Sequence, residues 1–140
     1  MNAQKWLTFR LDETCYCLPV RQVREVAHFQ PPEPVPGAPA VVSGIINQRG
    51  DVVTVLDGRA LLGLAAQEAT DDSRIMTLEL EHEVVGMVID QVQEIIELNE
   101  SDIEPPAQTQ ALILGTYQQG DELLVALNAD QLGKLPEADG

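Results

Sequence analysis

The sequence predicts an all-β protein arranged as two similar small barrels side by side. Three observations carry this. Short runs of alternating apolar and polar residues, separated by turn residues, fill most of the chain, while helical spacing appears only in fragments. Hydrophobic residues make up 44% of the 140 positions but aromatics only 4%, so the core must be built from Val, Ile and Leu, which suit pleated strands. The stretch from Gly50 to Asp57 is echoed from Gly120 to Asn128: a Gly-Asp turn, an apolar strand, an Asp or Asn cap, then a short helix ending in Leu-Gly, with the second copy one residue longer. Units of roughly 60 to 70 residues bury too little surface to stand alone, so the two are expected to share an apolar interface. A single sandwich is the alternative architecture.

The elements follow in order. Lys5 to Leu11 alternates with Leu7, Phe9 and Leu11 on one face, Asp12-Glu13 turns the chain, and Thr14 to Val20 returns it with Tyr16, Leu18 and Val20 together. Val20, Val23 and Val26 recur every third residue, as at a helix-to-strand join. The segment from Gln30 to Pro39, rich in proline, is unsuited to a central strand and reads as an extended crossover. Ala40 to Asn47 and Val52 to Leu56 form a hairpin about Gln48-Arg49-Gly50-Asp51, and Asp57 caps a short helix, Gly58 to Leu62. A polar loop from Leu64 to Asp72 precedes strands at Arg74 to Leu80 and Val84 to Ile89, joined by Glu81-His82-Glu83. Val92 to Leu98 is a further strand, followed by a helical turn that Pro105-Pro106 stops. Ala111 to Gln118 and Glu122 to Leu127 make the last hairpin, and Asn128 caps a helix, Ala129 to Leu132, ended by Gly133.

A formal net charge of -15, from 23 acidic and 8 basic residues, repels phosphates and anionic lipid, which argues against nucleic-acid partners. The N-terminus runs straight into a strand without the apolar segment of a signal peptide, and the longest uncharged apolar run, Val84 to Ile89, is far too short to enter a bilayer. A cytoplasmic protein is expected. Cys15 and Cys17 share a strand face and point in parallel, a poor geometry for a mutual disulfide; both are expected on a partly exposed face.

Catalytic chemistry does not emerge. His28 and His82 lack partners at ligand spacing, and the two cysteines have no further ligands clustered nearby, so neither metal nor cofactor is expected. Phosphate-binding glycine loops and nucleophile elbows are missing from the sequence. Asp57 and Asp90 read as isolated caps or turn residues, and Glu79, Glu81 and Glu83 as a solvated acidic tip. The chain reads as a binding module and not an enzyme. Its most informative polar residue is Arg49, a guanidinium at a hairpin tip able to pair bidentately with a partner's carboxylate or carbonyls.

From Gly44 to Asp57, an apolar strand runs into Asn47-Gln48-Arg49-Gly50 and a second apolar strand ends in Asp57; this strongly resembles the CheW family. Trp6 to Leu11 with Tyr16 to Val20 resembles that family's opening hairpin, Val23 to Val26 its Val-x-Glu-Ile element, and Val84 to Val92 its Gly-x-x-x-Asp-x-Val strand. The resemblance runs from about Lys5 to Leu135. It implies a single domain, 1–140, of two five-stranded SH3-like barrels, the first spanning 20–80 and the second 5–19 with 81–135. It implies a chemosensory adaptor that docks to the regulatory domain of a CheA-type histidine kinase and to the cytoplasmic tip of a methyl-accepting chemoreceptor. Carried over by position, Val23, Gly44, Asn47, Arg49, Gly50 and Val92 would line a receptor groove between the barrels. Val20, Glu25, Val26 and Ile103 would face the kinase, with a second, ring-forming contact near Ile103 to Thr109. Thr54 and Gly58 stand where the family often has proline and leucine. Glu104 and Thr109 replace basic and aromatic residues of well-known members, which counts against ring formation of the usual kind. A regulator that binds only the kinase, or an adaptor in a pilus-motility or surface-sensing pathway, is the alternative reading.

Overall fold

A computed structural model describes residues 3–108 and 110–132. These residues form ten strands: β1 (Gln4–Leu11), β2 (Thr14–Pro19), β3 (Val23–His28), β4 (Val42–Gln48), β5 (Asp51–Asp57), β6 (Arg74–Glu79), β7 (Val84–Ile89), β8 (Gln91–Leu98), β9 (Ile113–Gln119) and β10 (Glu122–Leu127). Helices are single turns, α1 (Gly58–Leu61) and α2 (Ala129–Leu132), with 3-10 turns at Val20–Gln22 and Glu100–Asp102. Asp57 caps α1 as its sequence position suggests, its side chain accepting from the backbone N–H groups of Arg59 and Ala60. Thr109 and Gly133, to which the sequence assigns a partner contact and a helix stop, lie outside the described residues.

The strands pair into two five-stranded sheets, in the orders β3-β6-β7-β5-β4 and β8-β1-β2-β10-β9. Exchanging β3 for β8, β6 for β1, β7 for β2, β5 for β10 and β4 for β9 turns one order into the other. Each sheet contains one parallel pair at the same place, β5 with β7 and β10 with β2. The same unit is thus used twice, and the N-terminal hairpin completes the second copy. In both units the segment after the first strand returns to the far edge: Glu33 bridges Ile45 and Glu104 bridges Thr116, which curls each sheet toward closure.

The repeat is stricter than the sequence suggests. Glu33 and Glu104, Gly44 and Gly115, Arg49 and Gly120, and Asp57 and Asn128 all lie 71 residues apart. Pairing Gly50 with Gly120 makes the second copy one residue longer; in the structure Gly120 takes the place of Arg49, and the extra residue disappears. Both Gly44 and Gly115 sit under the returning segment. A Cβ at Gly44 would lie 2.2 Å from the Glu33 carbonyl oxygen, and one at Gly115 2.1 Å from that of Glu104.

The expected subdomain boundary needs correction. Dividing the subdomains at 80/81 assigns β7 to the second barrel, but β7 pairs with β5 and β6 and belongs to the first sheet. A hairpin-forming turn at Leu80–Glu83 keeps β6 and β7 together, and the chain crosses between sheets at Asp90.

Side chains alternate between three cores. Trp6, Cys15, Cys17, Ile96, Leu98, Leu124 and Ala126 fill the second unit; Ile46, Val53, Val55 and Ile75 fill the first. The largest cluster draws on both sheets, with Leu7, Phe9, Tyr16 and Leu18 from one and Leu56, Met76, Leu78, Met87 and Ile89 from the other. Each such buried side chain contributes about 1.5–3 kcal/mol, so the shared layer supplies what two small units lack separately. At the irregularity between β1 and β8, the buried Thr8 hydroxyl donates to the Glu94 carbonyl at 2.8 Å and accepts from the Glu94 N–H at 3.0 Å, satisfying the groups that the broken ladder frees.

Candidate functional site

Arg49 and Gly50 form the two-residue loop between β4 and β5, with φ of 54° and 88°. Positive φ at both central positions is the geometry whose twist matches a hairpin, and asparagine or glycine normally supplies it. An arginine here accepts backbone strain, which calls for a compensating role. Its side chain is 77% exposed and its Nε donates to Glu25 Oε1 at 3.0 Å, reaching from the β4–β5 tip to β3 at the other end of the sheet. The Glu25 carboxylate raises the pKa of a guanidinium that is already fully protonated. Arg24, Glu25, Gln48, Arg49, Val52 and Val84 frame an open concavity of about 510 Å³, and Val52 in its lining is 68% exposed. Gln48 is held from inside the sheet, its Oε1 accepting from the buried Thr77 hydroxyl at 3.1 Å.

The structure divides the residues assigned to a receptor groove. Asn47, Arg49 and Gly50 sit together at the β4–β5 tip, and Gly44 lies further up β4 beneath the Glu33 carbonyl. Val23 and Val92, on β3 and β8, pack instead against the core shared by the two sheets. The concavity beside Arg49 is lined entirely from the first sheet and does not lie between the subdomains. The kinase-facing set also separates. Val20 packs on the shared core, Ile103 packs into the second unit, Val26 is 38% exposed on β3, and Glu25 holds Arg49. Residues assigned to two partners, Glu25 and Arg49, are therefore in contact.

A second arginine was not singled out from the sequence. The Arg59 side chain is only 8% exposed and forms a fork-to-fork pair with Asp90, Nε to Oδ1 at 3.1 Å and Nη2 to Oδ2 at 2.7 Å. Nη2 also meets Asp12 Oδ1 at 3.3 Å, Nη1 donates to the Ala65 carbonyl at 2.8 Å, and the Asp12 N–H donates to Asp90 Oδ2 at 2.7 Å. Asp90 is not isolated: with Arg59 it ties α1, the β7–β8 crossing and the β1–β2 turn into one clasp across the subdomains. The available signal was an arginine two residues past a helix cap in an otherwise apolar stretch. Gly58 stands between cap and arginine because a Cβ there would lie 2.5 Å from the Val88 carbonyl oxygen.

Cys15 and Cys17 are buried in the second core and not on a partly exposed face. The alternation that points Tyr16 and Leu18 to the shared core turns both thiols into the unit's own interior. Burial pushes Cys15 up to about 11 and Cys17 up to about 12, and the Cys15 thiol donates to Gln93 Oε1 at 2.8 Å. At pH 8 about one Cys15 in a thousand is thiolate, so neither thiol is expected to react with iodoacetamide in the folded protein, while both react in urea. The folded state holds these protons more tightly than the unfolded chain, so their contribution to stability is full below pH 9 and is lost as pH rises through about 11 for Cys15 and about 12 for Cys17. Prompt alkylation of the native protein, followed by mass spectrometry, would contradict this burial. Among the described residues, no helix is long and apolar enough to cross a membrane.

Residues 5–137 match the CheW-like domain family. The chain is 37% identical over 112 residues to the chemotaxis protein CheW of Rhizobium meliloti (strain 1021), covering 74% of this chain and 72% of that protein. It is 35% identical over 103 residues to chemotaxis protein CheW of Bacillus subtilis (strain 168), covering 74% and 66%. The crystal structure of the scaffolding protein TtCheW from Thermoanaerobacter tengcongensis superposes with a TM-score of 0.88 at 29% identity, covering 96% of this chain and 94% of that one.

Proposed function

The chain belongs to the family of CheW-like domains, and from that premise we propose that it is a non-enzymatic adaptor coupling chemoreceptors to a CheA-type histidine kinase. The observation that carries this reading is Arg49, an exposed guanidinium on a strained backbone position at a hairpin tip, beside the exposed apolar Val52. A receptor helix that lays aliphatic residues against Val52 and offers carboxylates or carbonyls to Arg49 meets both requirements at once. Two weak contacts, one to receptor and one to kinase, then assemble an array by avidity.

The Arg49–Glu25 contact also favours a second reading, a regulator that engages the kinase alone, because it draws Arg49 onto a residue of the surface assigned to the kinase. Receptor-tip and kinase-regulatory-domain fragments, titrated separately, distinguish the two. On the first reading, Arg49→Gly removes the guanidinium and relieves the backbone, so stability holds or rises while receptor-tip affinity falls about 30-fold. Arg49→Glu is expected to lose the same affinity with unchanged circular dichroism. A folded Arg49→Gly protein that binds the receptor tip as wild type does would refute the role given to Arg49.

A further inference from the structure

The 71-residue repeat carries the β4–β5 concavity onto the second subdomain. Val52, 68% exposed, corresponds to Leu123, 51% exposed, as Gln48 corresponds to Gln119 and Asp51 to Glu122. Around Leu123, where the β9–β10 hairpin meets the start of β2, lies a concavity of the same size, about 510 Å³. Its chemistry differs. Gly120 replaces Arg49, and the rim carries the carboxylates of Glu13, Asp121 and Glu122. Among the described residues, one guanidinium stands against these three, Arg10, which bonds Glu122 at 2.6 Å. An exposed leucine on a rigid hairpin provides an apolar anchor point, and the uncompensated carboxylates around it select the sign of a partner's charge.

We propose that the β9–β10 tip is a second docking surface, which takes a protein segment presenting an aliphatic side chain flanked by lysine or arginine. The occupant is a protein because a chain of net charge -15 repels phosphate backbones and anionic headgroups. The aliphatic residue covers Leu123, and the flanking cations meet Glu13 and Asp121, whose carboxylates form no ion pair among the described residues. The proposal stands apart from the role given to Arg49, since the two concavities lie on different sheets.

The test titrates the full chain with a synthetic peptide of alternating lysine and leucine, followed by amide chemical shifts. Shifts are expected at Thr14 and from Gln119 to Leu123, with little change at the β4–β5 tip. Leu123→Asp is expected to weaken binding at least about ten-fold, and Leu123→Ser to weaken it in the same direction, with buried Trp6 emission reporting that both variants are folded. Glu13→Gln combined with Asp121→Asn is expected to weaken it about three-fold at low salt and to flatten its salt dependence. Shifts confined to β4–β5, wild-type affinity in folded Leu123→Asp, or equal binding of a peptide with glutamate for lysine would each overturn the proposal.

Discussion

Alanine at Gly115 is expected to destabilise the protein by about 3–5 kcal/mol, the combined scale of an overpacked core and a disallowed backbone conformation. The added methyl would lie 2.1 Å from the Glu104 carbonyl oxygen and 2.8 Å from Ile103 Cγ2. The oxygen is backbone, and it cannot withdraw without breaking the bridge it makes: the Thr116 N–H donates to that carbonyl at 2.9 Å, and the Glu104 N–H donates back to the Thr116 carbonyl at 2.8 Å. Gly44 has the same construction, with Glu33 and Ile45 in the corresponding roles, and a φ of 149° that side chains rarely adopt. Gly44→Ala should therefore cost a similar amount, and its first symptom should be lost stability before any change in partner binding. Urea titration followed by Trp6 emission measures both, because the single tryptophan is fully buried. It reports on Gly44 in the other subdomain as well, since the shared core couples the two units. A cost below about 1 kcal/mol at either position would mean that the returning segment can move aside, and that the bridge does not close the sheet.

Asp90→Ala is the second large effect, expected at about 2–4 kcal/mol. Removing the carboxylate leaves the Arg59 guanidinium, with its side chain 8% exposed, short of its main counter-charge, and also deprives the Asp12 N–H of its acceptor. The Asp90 side chain is itself 31% exposed, so water relieves part of the penalty, which keeps the figure below that of a fully enclosed pair. Arg59→Met should cost less than Asp90→Ala, because methionine fills the space and the carboxylates it leaves without a counter-charge, Asp12 and Asp90, are partly exposed to water, whereas the stranded guanidinium is not. The double variant should be far from the sum of the two single ones, and a double-mutant cycle by urea titration measures the coupling. Additive costs would show that Arg59 and Asp90 act independently, contrary to the bidentate geometry.

These two effects mark where sequence reading succeeds and where it stops. The hairpin turns, the Asp57 cap, the short helices and the alternation of Leu7, Phe9 and Leu11 follow from local chemistry, and each appears in the structure where the pattern places it. The same alternation also turns Cys15 and Cys17 into an interior, but alternation alone does not distinguish an interior from solvent when a strand is covered on both faces. The repeat was visible in its turn and cap residues. Its register was not, because two glycines that look equivalent, Gly50 and Gly120, occupy different places in their loops.

Residue order alone determined that the chain is all-β, that its units occur twice, and that an arginine stands at a hairpin tip. Those features depend on contacts between near neighbours, where a two-residue period and turn-specific backbone angles leave few choices. Only the tertiary structure decided that β7 joins the first sheet, that Arg49 grips Glu25, and that Asp12, Arg59 and Asp90 meet. The last contact joins positions 78 residues apart, and the free energy that selects it comes from burying the core common to both sheets, which no window of sequence contains.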